Sequence, residues 1–236
     1  MRSCTLPGML GCGLPSVWSI ATFPVTFIRS LFLRTRTGGG AQERRPLTDA
    51  LQRGDRLEEE GNLAEAMAAY QEADDSGHPA GACNLGILLE RQGEQAAAQE
   101  AYARADRRGD ANGAFNLGLL LQDQEDLASA VAAFSRADQR GHAAAACNLG
   151  VVLEERGELD AAAAAYERAA DRGDAHGAFN LALLRHHQGD VPGAEEAFRQ
   201  AEHGDDWVAD MAVAARARLP ALDAASPRAG KFRLMR

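Results

Sequence analysis

Between residues 46 and 205 the apolar positions follow helical spacing in short stretches. Leu85 and Leu89 stand four apart; after Gly93, Ala98, Tyr102 and Ala105 continue at four- and three-residue steps. The same pattern returns at one constant step, the distance from Asn84 to Asn116. Asn-Leu-Gly occurs at Asn84, Asn116 and Asn148, and Asn-Leu-Ala at Asn180. Gly77, Gly109, Gly141 and Gly173 share that step, as do Tyr70, Tyr102, Phe134, Tyr166 and Phe198. A fixed period of this length marks stacked units, each burying its apolar face on its neighbours.

Each period holds two helices of about a dozen residues, the first ending near Gly61, Gly93, Gly157 or Gly189. Glu125 takes the glycine's place in the middle unit, so a strained or differently shaped turn is expected there. Asn62, Asp126 and Asp190 suit the N-caps of second helices, and Asp110 and Asp174 those of first helices. Five hairpins follow, at 46–76, 78–108, 110–140, 142–172 and 174–204. A last helix over 206–219, stopped by Pro220, is expected to cap the open end with Trp207 and Met211. A second period, twice as long, overlies the first, so that Cys83, Phe115, Cys147 and Phe179 alternate small and large along one face.

The ends differ from the array. Residues 1–45 read as a leader, either disordered or weakly membrane-associated; Thr5 to Ile28 carries no charge but is interrupted by Pro7, Pro15 and Pro24. Residues 220–236 read as a basic disordered tail. The net charge of −9 comprises about +5 at each end and about −19 in residues 46–215. That balance argues against a nucleic-acid partner, which needs a basic stripe. Cys83 and Cys147 lie two repeats apart, about 20 Å at ordinary helix spacing, too far to pair within one array. No Cys-x-x-Cys occurs, which favours a reduced, cytoplasmic setting; the alternative is a membrane-associated chain whose repeats face the cytoplasm.

Leu85, Gly86, Leu89, Gly93, Ala98, Tyr102 and Ala105 reproduce the internal spacings of a tetratricopeptide repeat, and the Tyr166-Glu-Arg-Ala-Ala-Asp-Arg-Gly-Asp stretch resembles the related Sel-1-like repeat. The resemblance covers residues 46–205. The period is slightly shorter than the usual tetratricopeptide one, the loss falling between hairpins, and the terminal proline is missing. The resemblance implies an all-α solenoid of about five helix-turn-helix repeats with a C-terminal capping helix, acting as a non-enzymatic adaptor or scaffold that binds a peptide or helix along its first helices.

Carried over by position, that groove would present Asn84, Asn116, Asn148 and Asn180 as a ladder, flanked by Ile87, Leu119, Val151 and Leu183 and by Phe115 and Phe179. A carboxamide offers both a donor and an acceptor, so such a ladder suits a peptide backbone; the same asparagines equally suit bonds to a neighbouring helix. Glu58, Glu59, Glu90, Asp123, Glu154 and Glu155 would make one rim acidic, with Arg91 the one clear cation, which favours a basic or neutral protein partner. No cofactor or metal is expected, because the adjacent His186 and His187 point about 100° apart and lack ligand spacing. No catalytic set is expected either: Lys231 is the only lysine, and Ser76, Ser129 and Ser135 have no triad partners. The other readings are a membrane-anchored adaptor held by residues 5–28 and a regulatory helper of a separate enzyme.

Overall fold

The computed structural model describes residues 45–225, with side chains from 49 to 205 and from 207 to 218. The leader and the tail beyond Ala225 lie outside the described residues. Every regular element described is helical. Five hairpins succeed one another: α1 (Arg45–Glu59) with α2 (Leu63–Asp75), α3 (Pro79–Arg91) with α4 (Gln95–Arg107), α5 (Ala111–Asp123) with α6 (Leu127–Gln139), α7 (Ala143–Glu155) with α8 (Leu159–Asp171), and α9 (Ala175–His187) with α10 (Val191–Ala201). A final helix, α11 (Asp206–Ala225), packs on α10 and α9. The fold is an α-solenoid of helix-turn-helix repeats, as the period predicts.

Within a hairpin the close approach is ring on glycine. A Cβ built at Gly86 of α3 would lie 2.7 Å from the Tyr102 ring of α4, and one at Gly118 of α5 would lie 2.6 Å from Phe134 of α6. The aromatics therefore fill a notch in their own hairpin. Consecutive hairpins meet instead through a second set of small residues: Gly81 on Ala73, Gly113 on Ala105 and Gly177 on Ala169. The crossing alanines Ala98, Ala130, Ala162 and Ala194 are fully buried. With small residues at both crossings, close backbone approach replaces bulk as the source of dispersion contacts.

The turns follow one plan. In the second hairpin Gly93 donates to the Glu90 carbonyl and Glu94 to that of Leu89, the paired bonds of a left-handed helix stop. Glu125 and Asp126 make the same two bonds, to Gln122 and Leu121, and Glu125 adopts φ +61 to do so. The turn keeps its shape and carries the strain. Asp110, Asp126, Asp174 and Asp190 each accept a backbone N–H three residues on, whereas Asn62 occupies its N-cap position without a capping bond from its side chain.

The capping helix differs from expectation in two ways. Val208 and Ala212 are the residues buried against the last hairpin, Met211 is half-buried and Trp207 is 56% exposed. The helix also passes Pro220 and ends at Ala225. A proline inside a helix removes one N–H and leaves one carbonyl of the preceding turn without its intrahelical partner.

Candidate functional site

The fourfold asparagine sits at one register on α3, α5, α7 and α9, and all four side chains are half-buried. Their amide nitrogens donate to unlike partners. Asn84 reaches back to Asp55 of α1 at 3.4 Å, Asn116 to the Cys83 sulfur of α3 at 3.6 Å, and Asn180 to the Cys147 sulfur of α7 at 3.7 Å. Asn148 turns to its own helix and bonds the Ala144 carbonyl at 3.0 Å. The flanking Ile87, Val151, Leu183 and Phe179 are half-buried, while Leu119 and Phe115 are buried.

The alternation of small and large residues has a physical cause in how the first helices meet. Cys83 leaves room for α3 and α5 to pack directly, and Cys147 does the same for α7 and α9. At the seam between α5 and α7 the larger Phe115 stands in the gap, stacked on His142 with centroids 4.4 Å apart and rings inclined by 22°. Phe179 meets Phe198 edge-on at 5.6 Å. Burial above all pushes the Cys83 and Cys147 thiols upward, so both are neutral and suited to packing.

Two networks go beyond the sequence reading. The first crosses from hairpin to hairpin. Asp74 of α2 is 1% exposed and accepts from Arg104 at 2.6 Å and from Arg108. Asp106 accepts from Arg136 and Arg140 at 2.8 and 2.6 Å, and Asp138 from Arg168 at 2.9 Å and from Arg172. Burial works to raise these three carboxyls, but the paired guanidinium bonds outweigh it and hold each below the ordinary carboxylate value. The sequence carries a signal for it: an aspartate recurs with the period at Asp74, Asp106 and Asp138, each followed by arginines 30 and 34 positions later. The second network lies inside hairpins. The hydroxyls of Tyr70, Tyr102 and Tyr166 donate to Glu58, Glu90 and Glu154, each at 2.9 Å. Where the ring is Phe134 or Phe198, the residue twelve positions earlier is Gln122 or His186. Half of the acidic rim thus has a structural task. Burial first, and the carboxylates after it, keep Tyr70 and Tyr166 protonated.

Two surface hollows lie elsewhere. One is bounded by Arg53, Leu57, Glu65 and Glu72 between α1 and α2, and another by Met67, Gln71, Leu85, Leu89 and Arg104 between α2 and α4. Neither includes a ladder asparagine. Among the described residues no group of His, Cys, Asp and Glu is placed to hold a metal ion, and no helix is long and apolar enough to cross a membrane.

Comparison with known proteins agrees with this geometry. Residues 115–176 and 147–207 match the sequence model of the tetratricopeptide repeat. A protective antigen of uropathogenic Escherichia coli strains with an SLR fold superposes with a TM-score of 0.64 at 22% identity, over 75% of this chain and 42% of that one. A Sel1 repeat protein from Oxalobacter formigenes gives 0.61 at 17% identity, over 78% and 80% of the two chains. YrrB, a TPR protein with an unusual peptide-binding site, gives 0.51 at 20% identity, over 71% and 90%. No curated protein matches the chain in sequence. The repeat model falls on residues 115–207 and the solved structures share the stacking of the hairpins, so the fold is that of tetratricopeptide and Sel-1-like repeat proteins.

Proposed function

We propose that the array is a non-catalytic protein-interaction module that holds a peptide along the ladder of Asn84, Asn116, Asn148 and Asn180. Repeats of this family generally serve as interaction scaffolds, and YrrB, of the same fold, has a peptide-binding site. One observation carries the reading to these residues. The asparagine is constant in four hairpins while its acceptor changes from carboxylate to thiol to backbone carbonyl. A residue kept only to bridge helices would keep its partner with it. Three of the four bonds are 3.4 Å or longer, or end on sulfur, so exchanging them for a peptide carbonyl costs little.

The apolar flank of Ile87, Val151 and Leu183 would take side chains, and the acidic residues at the C-terminal ends of the first helices favour a basic or neutral segment over an acidic one. Each exchanged hydrogen bond contributes about 0.5–1.5 kcal/mol, so affinity depends on several rungs at once. The test compares partners retained by the wild-type chain and by an Asn116→Ala/Asn148→Ala variant, with circular dichroism to establish that both are folded. Loss of a partner from the variant alone is the expected result. Equal recovery would make the asparagines structural and move binding to another face.

A further inference from the structure

The α5–α7 seam differs from its neighbours in one further respect. His142 is the N-cap of α7, and its Nδ1 accepts the Ala145 N–H at 3.1 Å, which places the ring proton on Nε2. The face of the same ring stacks on Phe115, itself 8% exposed and packed 6.0 Å from Phe134. One imidazole therefore closes the start of α7 and covers an aromatic of α5. The equivalent places on α5 and α9 carry Asp110 and Asp174, which cap with carboxylates. His78, at the same place on α3, makes no capping bond, and its Nδ1 is buried without a partner.

We propose that His142 is an acid-sensitive latch: protonation releases the start of α7 and uncovers Phe115 at the α5–α7 seam. A proton on Nδ1 removes the acceptor that Ala145 needs and turns the cap into a donor facing donors. It also sets a positive charge at the positive end of the α7 dipole. The groups around it pull both ways. Asp110 at the start of α5 and Asp174 at the start of α9 favour the cation, while Arg172 at the end of α8 opposes it. Burial opposes it most, and holds the imidazole below its ordinary value in the closed state. The closed state is thus the neutral one, and acid drives the ring toward water. The latch does not depend on whether the ladder binds a peptide.

The test is hydrogen exchange of the full chain between pH 7.5 and 5, read by mass spectrometry on peptides spanning residues 143–146. The internal reference is the start of α6, residues 127–130, capped by Asp126, whose carboxyl is held below the ordinary carboxylate value by its bonds to Ser129. Exchange at 143–146 relative to the reference is expected to rise by about five- to tenfold on acidification, the scale of a lost cap. Two variants separate the latch from general acid weakening. His142→Asp and His142→Asn each retain a capping acceptor that does not titrate in this window, and each is expected to flatten the ratio. A second reading keeps the test open if one variant folds poorly: the wild-type His142 ring resonances should titrate together with the exchange ratio. A wild-type ratio that stays constant, or one that rises equally in either folded variant, overturns the proposal.

Discussion

At the scale of single residues, the repeat is a set of steric agreements, and its exceptions are informative. Glu125 holds φ +61 in a turn where the other hairpins place glycine, such as Gly93 at φ +83. A side chain in the left-handed region costs about 1–2 kcal/mol, part of which glycine returns as entropy of the unfolded chain. Glu125→Gly is therefore expected to stabilise the protein by about 0.5–1 kcal/mol, measured as a higher denaturation midpoint with an unchanged slope. An unchanged or lower midpoint would mean that Glu125 makes compensating interactions in the turn. The notch glycines predict the opposite sign. Gly118→Ala pushes a methyl to 2.6 Å from the Phe134 ring and should cost about 1–3 kcal/mol by the same measurement. Ala182 occupies the equivalent place in the last hairpin, where Phe198 accommodates it fully buried.

At the scale of helices and hairpins, the buried aspartates make the seams asymmetric. Asp138 is 4% exposed, whereas the side chains of Arg168 and Arg172 are 43% and 30% exposed. Removing the aspartate frees two arginines that can turn to water. Removing the arginines strands a carboxylate inside the seam, and breaking a buried pair in that direction costs about 3–5 kcal/mol. Arg168→Ala/Arg172→Ala is accordingly expected to destabilise more than Asp138→Ala, which should cost about 1–2 kcal/mol. Equal losses in urea titration would show that the bridge is worth no more than a surface pair. The pH dependence has a definite sign. The folded carboxyls of Asp74, Asp106 and Asp138 titrate below their unfolded value, so their contribution is present above about pH 4 and is lost as pH falls through the lowered folded values. Asp138→Ala should flatten part of that acid limb.

The same elements show what the sequence makes legible. The hairpins, caps and turns are readable because each rests on contacts within a single hairpin, where apolar spacing and glycine position speak directly. The bridges join residues 30 and 34 apart, and Asp74 or Arg104 taken alone looks like an ordinary solvated charge on a helix. Only their recurrence with the period singles them out. The ladder is readable as a register on α3, α5, α7 and α9; its acceptors are not, because they depend on whether Cys83, Phe115 or Asp55 stands on the preceding first helix. The roles of Trp207 and Val208 are exchanged because a helix with apolar residues at 207, 208, 211 and 212 has two nearly equivalent faces, and packing on α10 chooses between them.

At the scale of the whole array, the seams are unequal. Three of the four seams carry an aspartate held by two arginines; at the fourth, between α8 and α9–α10, the corresponding residues are Ala170, Gln200 and Gly204. All three members of the bridge are gone together, so no charge is stranded. Gly204 shows what took its place: a Cβ there would lie 2.4 Å from that of Ala175 and 3.5 Å from that of Val208. The chain at 204 runs too close to Ala175 at the start of α9 to carry an arginine, and the bridge is absent where that contact is made. The last hairpin should then open first, with lower hydrogen-exchange protection in α9 and α10 than in α5 to α8. A double-mutant cycle tests the cause. Ala170→Asp alone places a carboxylate at a seam without its partner and should destabilise. Adding Gln200→Arg, which leaves Gly204 in place, should recover most of that loss, with a coupling of about 1–2 kcal/mol. Additive effects would show that one arginine cannot serve the seam.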